Sequence, residues 1–363
     1  MYRKYPRVCF LLVMFLITVS QSTAIAEAAQ PAICEVTISS VQDLGAVKTP
    51  ATVVARDGGA TNLIGNQILW VFGDTLFNTA SSDGVHLRSN TAALGSLTDP
   101  LNVSEPVDAN GVPYPLLGFT SEEQAYNDTH AVPNERIALW PVSIVPEGDR
   151  TGLLFYLKLI AKPGVLNYTF IGTGLAEIDQ GKTTAVRDPD LLFTAPEPLF
   201  ASAFIDGATL YLYGMLMNGK KDQSFGIGRV LLNSVRDRGA YQFWNGAAWV
   251  SDVTQTAPIL NNIPGDVSVA YNRYLKHYLA IHSEILSNRV VMQLAEQPQG
   301  PWSDPLVIFV GQPAVNSVDY AGRQHAELAS MDDRTIFVSY YHPLGLFTGE
   351  LRLVELVLGC MSH

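Results

Sequence analysis

The chain has 363 residues, a formal net charge of −11, and a composition of 47% apolar and 16% charged residues. This composition excludes a disordered chain, which needs low hydrophobicity and high charge. The acidic balance, without a basic cluster, argues against nucleic acid or an anionic membrane surface as a partner, because both attract clustered Lys and Arg. The 29 Gly and 21 Pro, with abundant Tyr, Phe, Val and Thr, favour short strands joined by many turns.

Residues 1–26 predict a secretory signal peptide. Three basic residues precede an apolar run over residues 8–19, and Ala24 and Ala26 fit the small-residue pattern of a cleavage site. The run is shorter than the roughly 20 residues of a membrane-spanning helix. We therefore expect a secreted protein, extracellular or periplasmic, with no membrane span after cleavage. Residues 27–363 are expected to form a single domain and a monomer.

Two cysteines, Cys34 and Cys360, stand at opposite ends of the mature chain, whereas Cys9 leaves with the signal peptide. In an oxidising compartment such a pair can form a disulfide. The alternative is two independent buried thiols. Because closed ring folds bring the chain termini together, we favour a Cys34–Cys360 disulfide.

One strand unit recurs five times along the mature chain, each time as a short apolar and aromatic run after a turn. The five runs cover residues 69–74, 153–158, 210–215, 277–283 and 335–341. Repeated strands at this kind of spacing favour a radial all-β architecture, a five-bladed β-propeller, over a sandwich. Strand-like runs at 35–38 and 351–358 are expected to share one blade and close the ring, with the two cysteines flanking them.

The segment before each repeated strand is expected to line the central channel. Aligning these segments places five polar residues around one mouth: Asp57, Ser143, Ser202, Ser268 and Glu327. Asp74 ends the first repeated strand and adds another carboxylate, and antiparallel pairing would bring it near Asp57. Either aspartate could also be an ordinary turn residue, since Asp is common in turns.

The three carboxylates Asp57, Asp74 and Glu327 are the candidate catalytic residues. Glycosidic cleavage needs one carboxylic acid to protonate the leaving oxygen and one carboxylate to act as base or nucleophile. The same three side chains could instead hold a structural calcium ion, which prefers oxygen ligands. No cofactor and no catalytic metal are required. The candidate substrate-binding residues are His325, Ser143, Ser202, Ser268 and Trp140, although a structural role is the more common one for a histidine such as His325 and for a tryptophan such as Trp140.

Several motifs resemble the domain of unknown function 4185 family. They are RDGG from Arg56, LWVFGDT from Leu69, RSNTAA from Arg88 and the late YAGRQHAEL from Tyr320. The resemblance implies a secreted five-bladed propeller related in shape to furanosidase-type glycoside hydrolases, some of whose members are endo-D-arabinanases. It also implies an acidic centre at Asp57 and Asp74. Where the family usually has His-Pro-Glu, this chain has Ala326 between His325 and Glu327.

Two functions remain open at this level. The first is a secreted glycoside hydrolase that cleaves within an arabinofuranan-like polysaccharide. The second is a non-catalytic propeller that binds a glycan or a cell-envelope partner. An enzyme needs two carboxylates that flank one bond, whereas a binding module needs only aromatic platforms and hydrogen bonds.

Overall fold

Strand pairing divides the chain into five antiparallel sheets of four or five strands, which form a five-bladed β-propeller. This confirms the predicted fold. The computed structural model describes residues 34–362, apart from 133, 165, 218–222 and 314–316. The predicted signal peptide lies outside the described residues.

In each blade the strands run in order from the channel outwards. Blade 1 contains β2 (Val53–Ile64), β3 (Gln67–Phe77), β5 (Thr91–Ser96) and β6 (Asp99–Ser104), with the short β4 (Leu87–Arg88) beside β3. Blade 2 contains β7 (Arg136–Pro146), β8 (Thr151–Ala161), β9 (Tyr168–Asp179) and β10 (Val186–Thr194). Blade 3 contains β11 (Leu199–Asp206), β12 (Thr209–Met215), β13 (Phe225–Leu231), β14 (Gln242–Trp244) and β15 (Trp249–Val250). Blade 4 contains β16 (Ser268–Asn272), β17 (His277–Ser283), β18 (Arg289–Ala295) and β19 (Leu306–Val310). Blade 5 contains β20 (Tyr320–Gln324), β21 (Thr335–Pro343), β22 (Gly349–Ser362) and β1 (Cys34–Ala46).

The five repeated runs of the sequence form the second strand of each blade: β3, β8, β12, β17 and β21. These strands are buried on both faces because a neighbouring blade covers each side of the sheet. Ile68 to Phe72, for example, are all at most 3% exposed. Burial on both faces explains why these strands read as continuous apolar runs, where a sheet with one solvated face would alternate apolar and polar residues.

A nine-residue helix, α1 (Ser121–Thr129), lies between blades 1 and 2. It begins with a capping box, in which Thr120 and Glu123 each accept a hydrogen bond from the other's backbone N–H. Glu123 is 4% exposed and also pairs with Lys158 at 2.6 Å and Arg187 at 2.6 Å, both on blade 2. One buried carboxylate therefore fixes the helix to the second blade. Short 3₁₀ turns occur at 232–234, 238–240, 253–255 and 326–328.

The ring is closed by β1, the N-terminal strand, which pairs with the C-terminal strand β22. This confirms the predicted closure. In the register of the pair, Cys34 lies opposite Ser362 and Cys360 lies opposite Val36, so the two cysteines are diagonal neighbours on adjacent strands. The side chain of Cys34 lies outside the described residues, and the disulfide stays a prediction. In the part of the chain that the structure describes, no helix is long and apolar enough to cross a membrane.

We expect Cys34→Ser and Cys360→Ser each to lower the free energy of unfolding by roughly 2–5 kcal/mol, the range for a native disulfide. The double variant should lose no more than either single variant, because one bond joins both residues. Denaturant unfolding with and without reductant measures this. Two thiols that react readily with a labelling reagent in the non-reduced mature protein would contradict the prediction.

Candidate functional site

Asp57 and Asp74 meet at one end of the channel. They lie on the adjacent antiparallel strands β2 and β3, where Arg56 pairs with Thr75 and Gly58 with Phe72. Two register shifts around Gly58 interrupt the ladder, and Gly58 and Gly59 both have positive φ, at 79° and 88°. The Asp57 carboxylate lies over Gly73, where a Cβ atom would be 2.6 Å from Oδ1. The glycines of RDGG and FGDT therefore allow the close approach of the two acids.

A third aspartate, Asp266, lies just before the innermost strand of blade 4 and acts electrostatically on Asp57. Arg323 of β20 donates to Asp266 Oδ1 at 3.1 Å. Asp266 was not among the sequence candidates. Its position in a Pro-Gly-Asp segment reads as a turn, and only its place at the start of an innermost strand could have marked it.

Asp57 is the most strongly perturbed of the three acids. Its pKa is raised to about 8, first by burial and then by the negative charges of Asp74 and Asp266. Hydrogen bonds from the Tyr320 hydroxyl, at 3.2 Å, and from the Asp74 backbone N–H oppose part of that rise. Asp57 is therefore mostly protonated at neutral pH and can donate a proton.

Asp74 is held in a different environment. Its Oδ2 accepts from Arg136 at 3.0 Å, and its Oδ1 accepts from the indole Nε1 of Trp140 at 3.0 Å. Both oxygens are thus oriented, and the ion pair with Arg136 requires the carboxylate form. Although both residues are aspartates, Asp57 can therefore serve as an acid and Asp74 as a carboxylate.

Aromatic side chains stand on two sides of the acidic cluster. On one side Tyr320 and Tyr341 lie with ring centroids 4.8 Å apart, and burial, followed by the charge of Asp57, raises the pKa of Tyr341 to about 12. On the other side Trp140 makes an edge contact with Tyr168 at 5.3 Å, and Tyr168 makes one with Phe170 at 5.1 Å. Such rings can stack against the apolar faces of sugars while their polar tips hydrogen-bond. Trp140, a candidate substrate-binding residue, therefore lies beside the two aspartates.

The structure does not bring Glu327 to Asp57 and Asp74. Glu327 follows β20 in a 3₁₀ turn, where its Oε1 accepts from Thr61, a residue four positions further along β2 than Asp57. Four residues of extended strand span about 13 Å. The alignment of the first blade is thus wrong, since Thr61 rather than Asp57 occupies the position equivalent to the three serines. The two register shifts on either side of Gly58 cancel, since Arg56 pairs with Thr75 and Ala60 with Val71 in the same register. The error therefore lies in the alignment itself, which was four residues out.

Ser143, Ser202, Ser268 and Glu327 do converge, in a channel cavity of about 330 Å³ away from the aspartates. The hydroxyl of Ser143 accepts from the Ala203 N–H of blade 3 at 3.0 Å. That of Ser268 accepts from the Gln324 N–H of blade 5 at 2.7 Å. These two serines link neighbouring blades, a structural function that the sequence analysis did not assign to them.

His325 is fully buried in the same region of the channel. It contacts Thr61 through Nδ1 and Ser339 through Nε2, the latter at 2.7 Å, and its ring lies 4.9 Å from that of Trp70. Burial and, secondarily, the charge of Arg323 lower its pKa to about 3, so it is neutral at physiological pH. These contacts are those of a structural histidine between blades 1 and 5.

Arg323 separates the channel cavity from the aspartates. Its side chain is 6% exposed and reaches from blade 5 to Asp266 and to the Val142 carbonyl of blade 2, at 2.7 Å. Blades 5 and 2 are not neighbours in the ring, so this side chain crosses the channel. Among the described residues no group of three His, Cys, Asp or Glu side chains could hold a metal ion. The set proposed for calcium, Asp57, Asp74 and Glu327, is divided by this arrangement.

The raised pKa of Asp57 predicts how the free energy of unfolding depends on pH. The folded pKa of about 8 lies above the ordinary value of an aspartate, 3.8, so the folded state binds the proton more tightly. The stabilisation from the protonated form is complete below pH 4 and is lost as pH rises towards 8. Asp57→Asn, which mimics the neutral acid, should match the wild type near pH 4 and exceed its free energy of unfolding above pH 8.

Urea unfolding across this pH range measures the difference, with Asp99→Asn, an exposed position on blade 1, as the control. A difference between wild type and Asp57→Asn that stays constant from pH 4 to pH 9 would contradict a raised pKa.

Comparisons with solved structures show the same fold at low sequence identity. A protein from Bacteroides ovatus, provisionally called a hydrolase, superposes with a TM-score of 0.59 at 14% identity, over 85% of this chain and 87% of its own. A family 117 glycoside hydrolase from the marine bacterium Zobellia galactanivorans superposes with a TM-score of 0.53 at 10% identity, over 90% of this chain and 91% of its own. A family 43 β-xylosidase/α-arabinofuranosidase from a compost metagenome was solved with xylotriose. It superposes with a TM-score of 0.50 at 11% identity, over 89% of this chain and 96% of its own. No curated protein sequence matches.

The family is shown by a different comparison. The model of the domain of unknown function DUF4185 matches residues 43–344, which include blades 1 to 4, the two inner strands of blade 5 and all three aspartates of the cluster. The chain therefore belongs to the DUF4185 family.

Proposed function

We propose that the protein is a glycoside hydrolase that cleaves within a polysaccharide of furanose sugars, such as an arabinofuranan. The observation that carries the proposal is the cluster at the channel mouth, where Asp57 is protonated at neutral pH beside the carboxylate of Asp74. Hydrolysis of a glycosidic bond requires this combination of acid and carboxylate.

In this reaction Asp57 gives its proton to the glycosidic oxygen as the bond from that oxygen to the anomeric carbon breaks. Asp74 either takes a proton from a water that attacks the anomeric carbon or attacks that carbon itself, in which case water later releases the sugar. Asp266 contributes through its charge, which raises the pKa of Asp57. Arg136 and Trp140 hold Asp74 in one orientation, which reduces the cost of positioning it during the reaction.

Three further observations support a glycan as substrate. The aromatic pairs on both sides of the cluster offer surfaces against which sugar rings can stack. The fold is that of family 43 and family 117 glycoside hydrolases, one of which was solved with xylotriose. The predicted signal peptide would deliver the protein to the compartment where cell-envelope polysaccharides are found. The resemblance of its motifs to those of arabinan-cleaving propellers supports a furanose sugar.

The alternative is a propeller that binds a glycan without cleaving it. The aromatic walls alone would suffice for that function, and Asp57 and Asp74 would then serve as hydrogen-bonding groups. Only turnover separates the two proposals.

Asp57→Asn and Asp74→Asn should each lower turnover by roughly 10²–10⁴-fold, the usual contribution of a general acid or base. Glu327→Gln, on the far side of Arg323, should keep near-wild-type turnover. Wild type and variants are incubated with arabinan, arabinogalactan and xylan, and the released oligosaccharides are separated and quantified. Thermal midpoints no more than a few degrees below that of the wild type establish that the variants are folded.

If either aspartate variant keeps wild-type turnover, the pair is wrong. If Glu327→Gln alone loses activity, the catalytic acid lies in the channel cavity instead. Binding of a polysaccharide without any released product would establish the non-catalytic alternative.

The pH dependence of the wild type gives an independent test. Because Asp57 must be protonated to act as the acid, turnover should fall as pH rises through about 8. Initial rates measured from pH 5 to pH 10 in buffers of constant ionic strength give this profile. A rate that keeps rising beyond pH 9 would show that Asp57 is not the proton donor.

A further inference from the structure

A cavity of about 600 Å³ lies beside the acidic cluster, between blade 1 and helix α1. We call it the α1 groove; its lining includes Arg88, Phe119, Gln124 and Arg136. We propose that the α1 groove binds the polysaccharide chain beyond the bond that is cleaved, as a set of subsites on one side of the aspartates. This inference rests on the proposed function.

The groove is continuous with the candidate active site through a single side chain. Arg136, at the start of β7, lines the groove and donates to Asp74 Oδ2 at 3.0 Å. A chain whose scissile bond lies at Asp57 and Asp74 can therefore extend past Arg136 into the groove without leaving the protein surface. The volume falls within the range of cavities that enclose drug-sized ligands, and roughly two or three sugar units are of that size.

The charges of the groove suit a neutral chain rather than an anionic one. Arg88 is paired with Asp83 at 2.8 Å and Arg136 with Asp74, so neither guanidinium has an uncompensated charge. Asp128 and Glu135 also line the groove and would repel a carboxylated or sulfated sugar. Phe119 is 37% exposed and offers a flat apolar face, and Gln124 adds an amide on the surface of α1. Together these groups match the hydroxyls and apolar faces of an uncharged glycan.

The walls are held rigidly before any ligand arrives. Arg88 Nε donates to the Pro113 carbonyl at 2.9 Å, which fixes its side chain across the groove. Helix α1 is fixed by its capping box and by the buried pairs of Glu123 with Lys158 and Arg187. A preformed groove loses less entropy on binding than a flexible one.

The test compares substrates that reach the groove with substrates that do not. Phe119→Ala and Gln124→Ala remove exposed contacts from the lining, and Ala is a good helix former at position 124. Leu97→Ala is the matched control, because Leu97 is an exposed apolar residue, at 49%, in the turn between β5 and β6 and outside the lining. Arabino-oligosaccharides from the disaccharide to the octasaccharide are assayed beside 4-nitrophenyl arabinofuranoside.

For Phe119→Ala we expect kcat/KM to fall about tenfold for the longest oligosaccharide and to stay unchanged for the aryl glycoside, because only the long chain occupies the groove. Gln124→Ala should give a smaller loss with the same length dependence. Equal kcat/KM for wild type and both variants at every length would overturn the groove while leaving the proposed hydrolase intact. A loss of kcat/KM of equal size for short and long substrates would show that Phe119 supports the fold and does not line a subsite. That result would also overturn the inference.

If the wild type cleaves none of the substrates, the proposed hydrolase fails and the groove is tested by binding. Calorimetric titration of wild type and Phe119→Ala with arabinan octasaccharide then decides. Binding by the wild type that is weakened about tenfold in Phe119→Ala supports the groove, whereas no binding or unchanged binding overturns it.

Discussion

The candidate active site depends on one constraint, the closure of the ring by the pairing of β1 with β22. Asp57 belongs to blade 1, Arg136 to blade 2, Asp266 to the start of blade 4 and Arg323 to blade 5. Open-ended blades would leave these side chains on the edges of separate sheets. Once the N-terminal strand completes the last blade, the five innermost strands surround one axis and the four side chains meet at it. In this blade β1 covers the outer edge of β22 and itself becomes the outer edge strand.

Within that frame, charge is distributed so that three acids can share a small volume. Asp74 and Asp266 each have an arginine partner, at 3.0 and 3.1 Å, whereas among the described residues Asp57 accepts from the hydroxyl of Tyr320 and from a backbone N–H. The unpaired acid is therefore the one that keeps its proton. Next to Asp57 in the chain, Arg56 forms an ion pair with Glu105, and each of these two side chains is 2% exposed. The Arg56 guanidinium lies 4.2 Å from the centroid of the Phe72 ring. This pair fixes the backbone next to Asp57, and loss of one partner would leave an uncompensated buried charge.

Much of this architecture could be predicted from the sequence because its determinants are local. Strands buried on both faces have to be apolar without alternation, and β3, β8, β12, β17 and β21 were all predicted on that ground. The adjacency of Asp57 and Asp74 followed from antiparallel pairing of consecutive strands. Helix α1 was not predicted, although Thr120 and Glu123 have the spacing of a capping box at its start.

The remaining errors come from features that are not local. The RDGG turn made Asp57 a plausible match for the three serines, and only the packing of blade 1 around the channel shows that Thr61, four residues later, holds that position. Asp266 resembles a turn residue until the ring places it beside Asp57. Glu327 carries a carboxylate and belongs to blade 5, which neighbours the blade of Asp57 and Asp74. Its position along the channel, however, depends on where β20 ends.

The position of Arg323 across the channel determines how a ligand can travel. This side chain crosses the channel from blade 5 to the Val142 carbonyl of blade 2 and to Asp266, between the aspartates and the cavity lined by Ser143, Ser202 and Ser268. Under the proposed function, a polysaccharide would reach the aspartates from their own end of the channel, without passing Arg323. Both fragments of a cleaved chain would leave from that same end. An internal segment of a polysaccharide could reach the aspartates in this way as readily as its end, since neither end has to pass through the ring.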